Sequence, residues 1–427
     1  MPGLDFAHIN DIIKVSNTGW SDFVKISILG DIMCEPSVLN GAKTKNGYDF
    51  NPMFKEVSPL LSQADYVIAN FESPLAGKAA GYTHSYYVFN APDEYAKAVK
   101  NAGIDLVSTA NNHTFDRGMA GLIRTLEVLD RCGVAHTGTY APGTERKGAH
   151  YFEIDGTRFA LVAYTYSTNW DDGENDPRDV ICEGEYEGTV NLLLNQKASV
   201  YLPGVWRGDD KIDKFFKKWI PDEEKRGRIK AWLGKESNYA RADDNLKPEE
   251  MAPYIEALTS DIKEAKQNAD VVIAYPHVGG QFNEKPGAIT RYVVDKCIEA
   301  GADAVMAGHA HCIHKAEIKE GLPCAYSLGN FSMSPNSSLI LKERLPAFGL
   351  CVHLYVEDKK IVKTTFSILK AVEKKGKLLV SYPVDVLYDS LKSKKAKVKL
   401  LEEVKTIYKT VKGHYPKSNI IKKEYDL

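Results

Sequence analysis

Residues able to bind a metal fall in five short strings of this 427-residue chain: Gly30-Asp31-Ile32-Met33, Asn70-Phe71-Glu72, Asn111-Asn112-His113, Pro276-His277 and Gly308-His309-Ala310-His311. Each follows an apolar run of the kind a buried strand requires, and packing gives no reason for such polar types there. Asp31 offers carboxylate oxygen, Glu72 two oxygens able to bridge two cations, and Asn112 an amide oxygen. His277, His309 and His311 offer imidazole nitrogen. A mixed oxygen and nitrogen set suits manganese, iron or zinc better than magnesium or calcium. Two such ions about 3.5–4 Å apart activate water for in-line attack and clamp an oxyanion. The chemistry expected is therefore metal-assisted hydrolysis with one or two divalent metal ions. Each string alone is weak: a Gly-Asp at a strand end is ordinarily a turn, and lone histidines such as His8 and His84 are ordinarily structural or exposed. The ordered set, each member behind a strand, carries the reading.

The elements that must position these residues alternate. Strands are expected at 23–29, 64–71, 104–110, 134–139, 270–275 and 302–307, and helices at 93–102, 118–132, 247–269 and 288–300, with Gly103, Gly133 and Gly301 as stops. A hairpin is expected around Asp155-Gly156, and two more within 314–331 and 348–368. Strand–helix alternation predicts a largely buried sheet with ligands at its carboxyl edge. The organisation read is a leader (1–24), a core (25–166 and 247–370), an inserted cap (167–246) and a lysine-rich, helical tail (371–427). The insertion is polar, holds Trp170, Trp206, Trp219 and Trp232, and is too long for a plain loop, so helices of its own are expected. It reads either as surface decoration or as a substrate lid. The run Lys392, Lys394, Lys395, Lys397 and Lys399 reads as a solvated helix face, with contact to an anionic polymer as the alternative.

Bulk properties exclude several classes. Hydrophobic residues at 44% and charged residues at 26% are ordinary globular values. A net charge of -2 gives no reason to expect nucleic acid or a charged membrane as partner. No apolar stretch approaches the roughly 18–20 residues of a membrane span. The N-terminus lacks the basic start and apolar core of a signal peptide. Seven cysteines, an odd number without a CxxC pair, argue against a disulfide framework and a cysteine zinc site. A reducing, cytoplasmic location is the expectation. Oligomeric state is not legible.

The order Gly-Asp-x, strand then acid, Asn-His, lone His and Gly-His-x-His resembles the calcineurin-like metallophosphoesterase superfamily. The strings GDIM, ANFESPL, ANNHTFDRG, HVGGQF, GADAVMAGHAH and YSLGNF resemble its CapA branch, also called the PgsA or poly-γ-glutamate capsule synthesis family, over about 25–165 and 250–350. The resemblance implies an α/β fold, a four-layer αββα sandwich of the metallophosphoesterase type, here with the inserted helical cap and a C-terminal helical tail. It implies that Asp31, Glu72 and His311 hold one metal and that Glu72, Asn112, His277 and His309 hold the other. His113 would be the acid for the leaving group. Asn70, Asn111, Asp116, Gln281 and Asn330 are candidates for contacting substrate or orienting ligands, with Asn70 also sharing Glu72's claim to bridge the metals. The chain departs from the superfamily pattern at Met33, where a His is usual, and a thioether predicts a weaker first site. Thr114 stands where an acid commonly follows Asn-His, with Asp116 close by.

Three functions follow as expectations. The first is a metallophosphoesterase-like hydrolase acting on a phosphate ester or related small anionic substrate. The second is a factor in making or releasing poly-γ-glutamate or another anionic capsule polymer, acting on an amide or acyl phosphate. The third is a non-catalytic polymer-binding module with a degenerate metal site.

Overall fold

The structure is a computed structural model that describes residues 23–85, 88–170, 176–198, 218–220, 241–337, 342–374 and 377–427. Most of the expected leader and much of the expected cap, with Trp206 and Trp232, lie outside the described residues.

Sixteen strands are described, in chain order. These are β1 Val24–Ile32, β2 Lys43–Thr44, β3 Gly47–Tyr48, β4 Tyr66–Phe71, β5 Leu106–Ser108, β6 Ala135–Thr137, β7 His150–Ile154 and β8 Thr157–Thr165, then β9 Val271–His277, β10 Ala304–Met306, β11 Ala316–Lys319, β12 Leu322–Ala325, β13 Phe348–Glu357, β14 Lys360–Val372, β15 Val380–Pro383 and β16 Tyr425–Asp426. Helices α1 Pro36–Gly41, α2 Asn51–Phe54, α3 Ser58–Leu61, α4 Asp93–Asn101 and α5 Gly118–Cys132 precede the insertion. Helices α6 Pro248–Asn268, α7 Ala288–Ala300, α8 Val384–Ser390 and α9 Lys394–Lys412 follow it.

The first sheet has the order β15-β14-β13-β1-β4-β5-β6, with β16 pairing β14; the second has the order β11-β12-β10-β9-β8-β7. In the first sheet, β1, β4, β5 and β6 run parallel. In the second, β8, β9, β10 and β12 do. Ile26, Ile28 and Ile68 of one sheet share a core with Phe159, Leu161 and Ile273 of the other, so the sheets pack face to face. The Tyr66 and Phe152 rings stack across that interface at 4.1 Å. Helices α4 and α5 cover the outer face of the first sheet through Tyr95, Val99, Val128 and Leu129. Helices α6 and α7 cover the second through Leu258, Ile262, Val293 and Val294. The result is the expected αββα sandwich.

Three differences from expectation have local causes. Strands β1 and β9 run on through Asp31 and His277, because pairing continues: Asp31 aligns with Asn70, and Thr165 with His277. Asp31 and His277 therefore lie within the ends of their strands, whereas Glu72, Asn112, His309 and His311 follow theirs. The tail is not purely helical. The short strands β15 and β16 extend the first sheet, and α9 sinks Leu400, Val404, Ile407 and Val411 into the core between the sheets. Described parts of the insertion are held to the core by bridges Thr139–Val190 and Thr165–Leu192, and show a short 3-10 turn at Gly184–Tyr186.

Candidate metal centre

Two glycines set the geometry of the site. A Cβ on Gly30 would stand 2.0 Å from the Gly329 carbonyl oxygen, so only glycine lets β1 lie against the segment carrying Asn330. A Cβ on Gly308 would come within 2.9 Å of Asp31 Oδ1. The Asp31 amide donates to Gly329 O at 3.1 Å, and the Phe331 amide to Asp31 O at 2.9 Å. His309 and His311 sit at φ of +86° and +53°, a left-handed backbone that costs energy for a non-glycine residue. That strain turns both imidazoles inward.

The ends of β1, β4 and β9, the loop after β5 and the loop after β10 bring six expected ligands together. Asp31, Glu72, Asn112, His277, His309 and His311 are all buried. Ligand atoms of Glu72, His309 and His311 lie within 4.8 Å of one another, as do those of Asp31, Glu72 and His277. These two trios share Glu72. They divide the histidines differently from the grouping implied by the family resemblance, within the same small volume. Asn112 Oδ1 lies 2.9 Å from His277 Nε2, and His309 Nδ1 lies 3.2 Å from that same nitrogen.

Surrounding polar groups have defined partners. Asn70 donates through Nδ2 to Asp31 Oδ1 (2.8 Å), while its own oxygen accepts from Asn111 Nδ2 (3.2 Å). Asn70 thus turns its NH₂ inward as a donor. Asn111 also accepts from the His113 amide at 3.1 Å. Asn330 Oδ1 lies 2.9 Å from His311 Nδ1, and Asn330 Nδ2 donates to His311 O at 2.8 Å. Asp116 Oδ2 lies 2.6 Å from His113 Nδ1 and also accepts from the Phe89 amide at 2.6 Å. Gln281 is half-buried in the turn before Phe282. Met33 is buried with Phe89, Phe282 and Met333, an apolar group beside the site. Phe89 stacks on His113 at 4.2 Å.

The carboxylates and imidazoles of the cluster perturb one another. Burial pushes the Asp31 pKa up, but the hydrogen bond from His311 and the charges of His277 and His311 bring it below the usual carboxylate value. Burial pushes His311 down, but Glu72 and Asp31 outweigh it and raise its pKa to about 9. His309 is held well below the usual imidazole value by burial first and then by the neighbouring histidines. Glu72 Oε1 is buried and has no hydrogen-bond partner. An orphaned carboxylate oxygen costs free energy that a metal ion would offset. It lies 3.4 Å from His277 Nε2 and 3.9 Å from both His311 Nε2 and His113 Nε2. The residues present fit a divalent metal.

The site also holds residues that motif reading missed. Asn169, Phe89, Phe282 and Tyr166 all border it, the Tyr166 ring at 4.6 Å from His309. The only signal was Ser167-Thr168-Asn169, a polar stretch directly after a buried strand.

Two face-to-face sheets with helices outside, and carboxylate, amide and imidazole groups at one edge, define a four-layer α/β sandwich with a cluster of potential metal ligands. The sequence comparison narrows this. The chain belongs to the family described as bacterial capsule synthesis protein PGA_cap, which matches residues 25–334. It is 25% identical to the uncharacterized protein y4sH of Sinorhizobium fredii over 335 residues, 75% of this chain and 68% of that one. It is 24% identical to the capsule biosynthesis protein CapA of Bacillus anthracis over 315 residues, 72% of this chain and 59% of that protein. It is 24% identical to the PGA biosynthesis protein CapA of Bacillus subtilis over 312 residues, with shares of 73% and 63%. The chain thus spans less than two thirds of either CapA protein.

Proposed function

We propose that this protein is a metal-dependent hydrolase of the phosphoesterase type, acting on a phosphate ester or a related anionic substrate. One observation carries the reading: the orphaned Glu72 Oε1, buried among three imidazoles. Asp31, Glu72, Asn112, His277, His309 and His311 would hold one or two ions, with manganese, iron or zinc favoured by the donor set. Such an ion supplies Lewis acidity toward a phosphoryl oxygen and lowers the pKa of water. The chain supplies the rest. His113 turns Nε2 toward Glu72 while Nδ1 is held by Asp116. A proton carried at Nε2 is therefore aimed into the site, ready for a leaving oxygen. Asp116 stabilises the charged imidazolium that such transfer requires. Phe89, stacked on the ring, fixes its plane and keeps water away.

The test is metal content of protein purified without chelator, together with hydrolysis of an aryl phosphate in added manganese. Bound metal is expected, with turnover that falls about 10²–10⁴-fold in His113→Ala while the metal is retained. Absence of metal, or no turnover with any divalent cation, would overturn the reading.

A second reading rests on the relatives, two of which bear capsule or PGA biosynthesis in their names. The same groups would then act on an amide or acyl phosphate in an anionic poly-γ-glutamate or capsule polymer. Shortening of poly-γ-glutamate by metal-loaded protein that leaves aryl phosphates untouched would favour it over the first.

A further inference from the structure

We infer that Asn169, in the first turn of the inserted segment, is a positioning residue that fixes the amide of Asn112 with its oxygen toward the metal site. The inference rests on the metal-dependent reading above and adds a residue that the motifs do not contain.

An asparagine amide binds a cation only through its oxygen, and a flip of the group presents NH₂ instead. Something must therefore decide which way Asn112 faces. The deciding chain starts at Asp116, a buried carboxylate that can only accept when ionised. Asn169 Nδ2 lies 3.5 Å from Asp116 Oδ1, to which it donates, and 3.2 Å from His113 Nδ1. This orients the Asn169 NH₂ toward the His113–Asp116 pair. Its other end, Oδ1, consequently faces Asn112 and accepts from Asn112 Nδ2 at 3.0 Å. The Asn112 oxygen is left facing inward, 2.9 Å from His277 Nε2. Flipping Asn112 would set two amide oxygens against each other. Flipping Asn169 as well would set its oxygen against the Asp116 carboxylate. Each alternative exchanges a hydrogen bond for a buried repulsion, so the inward-facing oxygen is selected.

Asn169 is itself held from two sides. Its amide donates to Asn112 O at 2.7 Å. The preceding Thr168 accepts through Oγ1 from Gln196 Nε2 at 2.7 Å, and Gln196 also binds the Cys182 amide and Val180 O. The Tyr166 amide donates to His277 O at 3.0 Å. The segment entering the insertion is thereby sewn to both the Asn112 loop and the end of β9. A single residue joins an expected ligand, the expected acid and the inserted segment.

A double-mutant cycle on the full chain tests this, with the dissociation constant for Mn²⁺ read by calorimetry. Asn169→Ala is expected to weaken Mn²⁺ binding about 10–100-fold, the usual effect of removing a ligand's orienting partner. In an Asn112→Ala background the same substitution is expected to change the constant by no more than about twofold, because it acts through Asn112. Equal losses in both backgrounds would show a general structural effect and overturn the inference. So would an unchanged affinity in Asn169→Ala. Wild-type protein that binds no Mn²⁺ would remove the metal-dependent reading and this inference together. Wild-type protein that binds and turns over while Asn169→Ala is indifferent would remove this inference alone.

Discussion

Gly30 shows how much a single missing methyl can decide at the residue scale. Asp31 leaves β1 beside Asn330 only because the two backbones approach more closely than a Cβ allows. Gly30→Ala is expected to lower stability by roughly 1–3 kcal/mol, the usual cost of forcing extra volume into a packed interior. It should also weaken Mn²⁺ binding, since Asp31 rides on β1 and the Asn330 that touches His311 on the segment bridged to it. Thermal unfolding and calorimetry check both effects, and normal values in each would mean the close approach is dispensable. Met33 makes the complementary point. Its side chain packs in an apolar group with Phe89, Phe282 and Met333.

Among the elements, strand β16 is anchored through the side chain just before it. Glu424 accepts from Lys25 Nζ at 2.7 Å, Tyr355 OH at 2.6 Å and Thr365 Oγ1 at 2.8 Å, tying the chain end to β1, β13 and β14. Burial pushes the Glu424 pKa up, but the Lys25 and Tyr355 hydrogen bonds overcome it and hold the group at about 2, against an ordinary 4.5. A carboxylate lowered in this way contributes stability that is full above pH 4.5 and lost as the pH falls toward 2. Glu424→Gln is expected to cost roughly 1–3 kcal/mol near neutral pH, the range for hydrogen bonds to a charged group. It should also flatten the acid limb of a denaturant-midpoint-against-pH profile. An acid limb identical to wild type would remove Glu424 from this role. Helix α9 is tied down differently, by apolar residues spaced four, three and four apart along its buried face.

For the whole molecule, the site is a joint between the two sheets. Asp31 and Glu72 come from the first sheet, and His277, His309 and His311 from strand ends of the second. A cation held by both should stabilise the pair as a unit. Mn²⁺ at 100 times its dissociation constant is expected to add about 2.7 kcal/mol to the unfolding free energy. Chelation should remove that increment and lower the melting temperature reversibly. A melting temperature indifferent to both metal and chelator would be incompatible with a cation bridging the sheets. No helix among the described residues is long and apolar enough to cross a membrane.

Much of this was legible in the chain. Apolar runs behind Asp31, Asn70, Asn111, His277 and His309 announced the strands, because a strand buried on both faces must be apolar throughout. The strings were enough to expect these side chains at the carboxyl ends of strands, where parallel strands gather such residues, but not that two sheets would share them. The glycine stops after α5 and α7 marked where those helices end. Other features had no local signal. Asn169 lies far from Asn112 and Asp116 in sequence, and a lone asparagine after a strand looks like any turn residue. Strands β15 and β16 are too short to show periodicity and exist because β14 offers them an edge. The inward turn of His309 and His311 depends on a left-handed backbone that no histidine prefers. Short-range preferences write the elements into the sequence, whereas the orientation of an amide or a strained imidazole is settled only by the groups that folding brings against it.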